Sequence, residues 1–481
     1  MTLDPAYGAF TGYPSGYEAA LCLYDRLLDF DAQMNIVPQL AESYEMAGDL
    51  MSCKLTLRKN VTFHDGSACD ASAVKANIER MMDKTRNPTN RPLWDPIDGV
   101  DAPDAATVIV RLKTPFSQLP NTLAHGSGAI VSPAAIGKHG DKGIAQNPVG
   151  AGPFKLKAFS PGQELTLEAF DGYWGGVPKT KTLAFKFIAE PATRISALRT
   201  GSVDVIDAVP VALVDQLRRD ANLQVVTSPG LRPIGFAINL DREPLKNLKV
   251  RQALNLAVPV ETIAQKVFFG LAKAPDSPLA FNTTGYRSIS KLVYDQAKAK
   301  ALLGEAGFTT ANPLKLNLFV SDGLFPGDVS VAEIVASALK QVGVDATITK
   351  VERGAYWDAL RQDRANAKWD IAMFGFNPSN ASGLYHLASL FKSNADDAGR
   401  PDVWNIGRYR NPEVDRLLEV ADKTPDAKGQ ADALGKAQEL IWADTPYIWL
   451  QINENVSAAR ISVAGLEVWP IVFTNVRRST V

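Results

Sequence analysis

The chain has 481 residues, more than one hydrophobic core usually organises, so the sequence predicts at least two lobes. Apolar residues make up 46% and charged residues 21%, and the formal net charge is only -1, which gives no electrostatic basis for binding nucleic acid. The sequence has no apolar run of about 18 residues, so we expect a protein that does not span a membrane.

The beginning of the chain leaves its cellular location open. Residues 1–5 (MTLDP) show neither the basic region nor the apolar stretch of a secretory signal. They are consistent with a cytosolic protein, or with an exported protein whose signal and first strand lie upstream of Met1.

A loop at residues 10–16 precedes the first predicted helix, which spans residues 17–28 by its apolar spacing. Phe10 and Tyr13 make this loop a candidate wall of a binding site. Cys22 lies in an apolar stretch of the helix and should be a small buried side chain.

The next region combines a strand pair with a helix. Residues 53–58 and 107–112 alternate between apolar and polar side chains, as strands do. Between them, Asp70 should cap a helix that buries Val74, Ile78 and Met81. Cys53 and Cys69 lack the spacing of a metal site, and they could form a disulfide if the protein is exported.

The segment 147–154 (NPVGAGPF) must be a constrained turn, because it has two prolines and two glycines in eight residues. We expect Gly150 and Gly152 to adopt backbone angles that other residues resist. After this turn, a strand at residues 183–188 and a helix from Pro191 to Gly201 lead to a strand at 203–206, a rhythm that predicts a mixed sheet with helices on its faces.

A second α/β lobe should begin near Pro233. Its predicted strands and helices alternate along the chain until residue 443, and a strand over 447–452 follows. About thirty residues remain after this strand, too few for another lobe, so we expect them to return to the first one. The predicted lobes are residues 1–235 with an inserted subdomain at about 30–147, residues 236–448, and a return at residues 449–481.

Eight short motifs in this order resemble extracellular solute-binding protein family 5, whose members serve peptide and nickel-chelate ABC importers. Residues 437–442 (AQELIW) and 453–459 (NENVSAA) look most like the glutathione-binding branch of that family. The motifs are LYDRL at 23–27, PQLAES at 38–43, FHDG at 63–66, NPVGAGPF at 147–154, DGYWGGVP at 171–178, GSVD at 201–204, VRQAL at 250–254 and YDQAKAKALL at 294–303.

The resemblance implies a two-lobed periplasmic-binding-protein fold of the type II, α/β class, with mixed sheets and an extra subdomain in the first lobe. It implies a monomeric periplasmic protein that binds a small peptide in the cleft between its lobes, without a cofactor. Its partners would be an ABC permease and the ATPase subunits of the importer. The resemblance also favours an upstream signal over a cytosolic start.

The resemblance suggests ligand contacts at the end of a central strand, where Gly375, Phe376 and Asn377 would offer main-chain groups to an extended peptide. Peptide binders of this family typically hold the ligand's amino terminus with an aspartate soon after this strand, whereas residues 378–382 here read PSNAS. The arginine expected near residues 321–325 is also absent. We therefore expect a ligand with more than one carboxylate, held by cations elsewhere.

Several residues are candidates for holding such a ligand. Arg232, at the predicted lobe crossing, has the planar donor pair that matches a carboxylate, although it could equally be a surface arginine. Arg91 and Trp94 share a loop and could supply a second cation and a stacking wall. The remaining candidates are loop residues that could also be structural: His125, Trp404 and Asn405.

Two other functions compete with peptide binding. An enzyme is disfavoured, because the four histidines form no HExxH motif and the sequence has no paired-cysteine zinc spacing, G-x-S-x-G elbow or P-loop. A nickel-chelate binder of the same family is the closer alternative, and His386 is its only suggestive residue.

Overall fold

The computed structural model describes residues 2–8, 14–393, 404–471 and 473–481. By its internal contacts the chain divides into two compact units. Unit 1 comprises residues 1–228 and 455–481, and unit 2 comprises residues 229–454. The sequence analysis places the two borders at 235/236 and 448/449, a few residues away.

The described part of the chain contains both helices and strands. The strands are β1 (Leu28–Phe30), β2 (Ile36–Pro38), β3 (Ala41–Met46), β4 (Ser52–Leu57), β5 (Ile97–Asp104), β6 (Thr107–Leu112), β7 (Phe154–Ser160), β8 (Glu164–Ala169), β9 (Thr182–Lys186), β10 (Val205–Ile206), β11 (Leu223–Ile238), β12 (Ala272–Lys273), β13 (Leu314–Val320), β14 (Val344–Lys350), β15 (Ile371–Gly375), β16 (Tyr447–Arg460), β17 (Glu467–Trp469) and β18 (Phe473–Asn475). The α-helices are α1 (Pro14–Leu23), α2 (Ala71–Met82), α3 (Leu119–Ala124), α4 (Pro133–Ile144), α5 (Pro191–Thr200), α6 (Val214–Arg218), α7 (Glu243–Lys246), α8 (Leu248–Leu256), α9 (Val260–Lys266), α10 (Gln296–Glu305), α11 (Asp328–Lys340), α12 (Arg353–Leu360), α13 (Gly383–Phe391), α14 (Pro412–Lys423) and α15 (Ala427–Asp444).

Unit 1 contains a four-stranded antiparallel sheet in the order β3-β4-β6-β5, with α2 packed beside β5. The Asp70 carboxylate accepts hydrogen bonds from the N–H groups of Ser72 and Ala73, which confirms the predicted cap. The predicted apolar face of α2 is also confirmed, since Val74, Ile78 and Met81 are all buried.

The turn after α4 lies directly against the backbone at the end of α1. A Cβ on Gly150 would meet the Leu23 carbonyl oxygen at 2.2 Å, and one on Gly152 would meet the Cys22 oxygen at 2.7 Å. Neither glycine is among the residues with positive φ. The expectation of special backbone angles is therefore wrong, and the two glycines are required by the close approach of two chain segments.

The prediction that the two strands around α5 belong to one mixed sheet is also wrong. Helix α5 begins at Pro191 and ends before Gly201, which has a φ of 75°, as predicted. However, β9 belongs to an antiparallel sheet in the order β7-β8-β9, whereas β10 pairs with Ala458 and Ala459 of β16. The two strands flanking α5 thus lie in different sheets, a pairing that local periodicity cannot specify.

The end of the chain packs within unit 1 through buried polar contacts. The Arg477 guanidinium donates to the Asp29 carboxylate at 2.9 Å, and Asp29 also pairs with the fully buried Arg26. The Thr474 N–H donates to the carboxyl oxygen Oε1 of the buried Glu18 at 2.6 Å. These contacts attach the C-terminal segment to α1 and β1.

Unit 2 is built on a sheet in the order β16-β11-β15-β13-β14, with β12 beside β16. Strands β13 and β14 pair in parallel over seven residues, and β15 pairs with β11 in antiparallel register. One face of this sheet forms a core with α12 to α15, in which Trp369, Phe374 and Phe391 are buried. This alternation of helices and strands is the one predicted for the second lobe.

All three cysteines are buried free thiols, so the possible Cys53–Cys69 disulfide is not formed. Burial raises the pKa of Cys22 and of Cys53 to about 12, which keeps both thiols protonated and unreactive. Within the described ranges, no helix is long and apolar enough to cross a membrane.

Candidate functional site

Arg232 lies near the start of unit 2 on β11, two residues before Ile234, where the pairing of β11 with β15 begins. The register places Ile234 opposite Gly375, and a Cβ added at Gly375 would lie 3.2 Å from the Cγ and Cδ atoms of Arg232. Gly375 therefore leaves the space that the Arg232 side chain occupies. Two candidates from the sequence, Arg232 and Gly375, are in direct contact.

The Arg232 side chain is half-buried, with its Nε atom fully buried, and it lacks a counter-charge. Its Nε has no accessible surface and no hydrogen-bond partner, and no ion pair involves this residue in the described part of the chain. Burial lowers the pKa of Arg232 to about 10, with no charged neighbour contributing to the shift. Arg232 remains a cation at neutral pH, so this position of unit 2 is suited to binding an anionic group.

Phe376, the residue after β15, belongs to an aromatic cluster. Its ring centroid lies 5.5 Å from those of Trp404, Tyr385 and His386. The Arg361 guanidinium lies over the Trp404 ring, 5.2 Å from its centroid. Phe376 is buried and Trp404 half-buried, so the cluster offers an apolar surface beside the end of β15, with the half-buried Asn377 next in the chain.

Asn405 holds the loop that carries Trp404. Its side-chain amide donates to the carbonyl oxygens of Lys392 and Tyr409 at 3.0 and 2.9 Å, and its Oδ1 accepts from the Tyr409 N–H. The donor and acceptor atoms of Asn405 are thus used within the loop, and the residue positions Trp404 without presenting a free amide.

Three candidates from the sequence lie in unit 1: Arg91, Trp94 and His125. The Trp94 side chain is only 1% exposed. Its indole N–H donates to the Ser127 hydroxyl at 3.1 Å, and that hydroxyl lies 2.8 Å from the His125 Nδ1. Burial lowers the pKa of His125 to about 3, so the ring is neutral. Arg91 pairs with Asp95 one helical turn further on. Trp94 and His125 are therefore linked through the Ser127 hydroxyl and hold their two segments together. Arg91 already has a carboxylate partner.

Phe10 and Tyr13 lie outside the described residues. In the described ranges, no three His, Cys, Asp or Glu side chains are grouped as metal ligands would be. His386 is 1% exposed, and burial lowers its pKa to about 3.

Sequence reasoning missed the polar residues of β16. Gln451 and Asn453 alternate with apolar residues on a buried strand, and the side-chain nitrogen and oxygen atoms of both are buried without hydrogen-bond partners. A polar residue at every second position of a buried strand is a signal that the sequence does contain. Its meaning depends on the neighbouring strands and loops, which the sequence does not specify.

Comparison with known proteins adds a family and a fold. Residues 35–398 match the model of the bacterial extracellular solute-binding proteins, family 5 Middle. The glutathione-binding protein GsiB of Pectobacterium atrosepticum is 33% identical over 458 residues, which are 94% of this chain and 87% of that protein.

Solved structures are similar over almost their whole length. HbpA2 from Haemophilus parasuis has a TM-score of 0.86 at 25% identity, covering 100% of this chain and 97% of that one. The periplasmic binding protein DppA from Helicobacter pylori, in complex with the peptide STSA, has a TM-score of 0.82 at 26% identity, covering 99% and 94%. These similarities confirm the predicted α/β fold class.

Proposed function

Since residues 35–398 match its model, this chain belongs to family 5 of the bacterial extracellular solute-binding proteins, and we propose that it delivers a small peptide to an ABC importer. The proposed solute is glutathione or a related short peptide with more than one carboxylate. The chain would bind it without chemical change, as a monomer outside the cytoplasm, and transfer it to the permease and its ATPase subunits.

The unpaired Arg232 is the observation that carries this proposal. A buried charge without a partner destabilises a folded protein, so its presence requires a compensating role. A solute carboxylate would supply the missing counter-charge through two parallel N–H···O bonds. The adjacent cluster of Phe376, Trp404 and Tyr385 would pack against the apolar part of the same solute.

Two relatives support a peptide as the solute. GsiB of Pectobacterium atrosepticum is named as a glutathione-binding protein, and the DppA structure contains the peptide STSA. Residues 377–382 of this chain carry no carboxylate that could hold a peptide's amino terminus. A peptide held mainly through its carboxylates, such as glutathione, agrees with both observations.

Two measurements test the proposal. Mass spectrometry of the denatured protein should identify a co-purified small peptide, and calorimetry should detect glutathione binding by protein that has been unfolded, freed of solute and refolded. Arg232→Gln should weaken binding roughly 30-fold or more, as expected when one partner of a buried charge pair is removed. Arg91→Gln should have a smaller effect, because Arg91 already pairs with Asp95. Failure of the parent to bind any peptide would refute the proposal.

A nickel chelate is the second candidate solute, and the unpartnered Nδ1 of His386 is the observation that favours it. One buried histidine is a weak basis for holding a metal complex. Metal analysis of protein purified without chelators separates the two candidates, and stoichiometric nickel would favour the chelate.

A further inference from the structure

A row of unpartnered polar groups lies along one face of β16. Because side chains alternate along a strand, Trp449, Gln451 and Asn453 point to the same side. The Trp449 Nε1 and the carboxamide atoms of Gln451 and Asn453 are all buried, and no hydrogen-bond partner exists for them in the described part of the chain. Gln451 is 0% exposed, so bulk water does not reach its amide.

Asn453 lines a cavity of about 150 Å³ that lies entirely within unit 2. Pro229, Gly230 and Phe281 contribute to the same lining. Beside it, the Asn282 amide donates to the Pro229 carbonyl oxygen at 3.2 Å, while the Asn282 Oδ1 has no partner. The cavity would hold about five water molecules at roughly 30 Å³ each, a volume suited to part of a small peptide.

The charges around the cavity disfavour an anion. Lys273 contributes one ammonium group, whereas Asp276 and Glu454 contribute two carboxylates. The Asp276 carboxylate already accepts hydrogen bonds from the Tyr286 and Ser288 hydroxyls, at 2.8 and 2.6 Å. The cavity therefore differs from the Arg232 position, and the buried unbonded atoms among its lining residues are those of the neutral Asn453 carboxamide.

We propose that this cavity is a subsite for an uncharged amide group of the same solute whose carboxylate binds Arg232. A carboxamide can accept from an amide N–H and donate to an amide C=O at once, so Asn453 has the chemistry to pair with a peptide bond. Gly230 and Arg232 are two residues apart on β11, or about 7 Å, which matches the length of two extended peptide residues. The inference rests on the proposed function and adds that amide-bearing solutes are preferred over simple dicarboxylic acids.

Calorimetry with glutathione and glutarate tests the subsite, because glutarate has carboxylates but no amide. The parent should bind glutathione more tightly than glutarate. Asn453→Leu should weaken glutathione binding about 10-fold and leave glutarate binding unchanged, whereas Arg232→Gln should weaken both. Unchanged glutathione affinity in Asn453→Leu would overturn the inference and leave the proposed function standing. A parent that binds neither probe would overturn the proposed function and, with it, this inference. A stability measurement tests separately whether the polar face of β16 lacks partners.

The stability measurement compares two fully buried glutamines of unit 2 in solute-free protein. Gln438 is bonded on both sides, accepting from the Ser277 hydroxyl and donating to the Gly285 and Leu434 carbonyls, whereas Gln451 has no partner. Gln438→Met should lower the Tm by about 2–4 °C, and Gln451→Met should raise it by a similar amount. If Gln451→Met lowers the Tm as Gln438→Met does, Gln451 is bonded without any solute, and the unpartnered face of β16 on which the inference rests does not exist.

Discussion

Replacing Arg232 with methionine should stabilise the solute-free protein while it weakens solute binding. Burial lowers the pKa of this arginine from 12.5 to about 10, which corresponds to a penalty of about 3 kcal/mol for holding the charge in the folded state. This figure is an upper bound, since part of the side chain remains exposed.

Both folded and unfolded states carry the proton below pH 10, so the penalty is constant across the neutral range. Above pH 10 the folded state loses its proton first, and stability should rise with pH.

The assay is urea unfolding of the parent, Arg232→Met and a control, Arg251→Met. Arg251 is also buried in unit 2, but its guanidinium donates to the carbonyl oxygens of Asp444, Leu245 and Lys246, at distances of 2.8 to 3.0 Å. Removing it leaves three carbonyl groups without their donor. We expect the free energy of unfolding to rise by up to about 3 kcal/mol in Arg232→Met and to fall by about 1–3 kcal/mol in Arg251→Met.

The same two variants should also differ in their affinity for glutathione. Loss of the charge partner in Arg232→Met should cost about 2–5 kcal/mol of binding free energy, and Arg251→Met should bind as the parent does. If Arg232→Met unfolds at lower urea than the parent, the guanidinium has a partner in the solute-free protein and the reasoning fails. Unchanged stability together with unchanged affinity would mean that Arg232 is an ordinary surface arginine.

Two further predictions concern unit 1. Burial and the neighbouring Asp207 raise the pKa of Glu18 well above its usual range, so the folded protein holds a proton that the unfolded chain releases above about pH 4.5. Stability should therefore fall as pH rises from 5 to 8. Thermal unfolding at several pH values should show this fall in the parent and a weaker pH dependence in Glu18→Gln. A parent whose stability is constant or rises between pH 5 and 8 contradicts the prediction. Gly152→Ala should destabilise by about 1–3 kcal/mol, because its Cβ would meet backbone atoms of Cys22 to Tyr24, whereas Gly48→Ala, with nothing within 4 Å, should be nearly neutral in urea unfolding.

Much of the local structure could be predicted from the sequence, because it depends on interactions between nearby residues. The cap at Asp70, the apolar face of α2 and the end of α5 at Gly201 follow from capping groups, apolar periodicity and glycine. The pairing of β10 with β16 could not be predicted in this way. It joins residues about 250 positions apart, and no local preference selects one distant strand over another.

The candidate site shows the same limit at the level of single side chains. Gln438 and Gln451 are the same residue type, both fully buried, yet one is completely bonded and the other has no partner. Arg91 and Arg232 are both candidates in the sequence for holding a solute carboxylate, and the fold gives only Arg91 an aspartate partner. Residue type determines which interactions are possible, and the distant neighbours determine which of them are formed.

Arg232 differs from the paired arginines of unit 1 in a way that bears on function. In unit 1, Arg26 and Arg477 both pair with Asp29, and Arg80 donates to Asp4 at 2.6 Å. These pairs offset the desolvation of each charge within the protein itself. Arg232 of unit 2 has no such pair, and the unbonded carboxamides of Gln451 and Asn453 are in the same unit. Folding alone gives no reason to retain one unpaired cation and two unbonded amides in a single unit. Binding of a solute with both a carboxylate and an amide would satisfy Arg232 and Asn453, which is why we propose that these two residues recognise the solute.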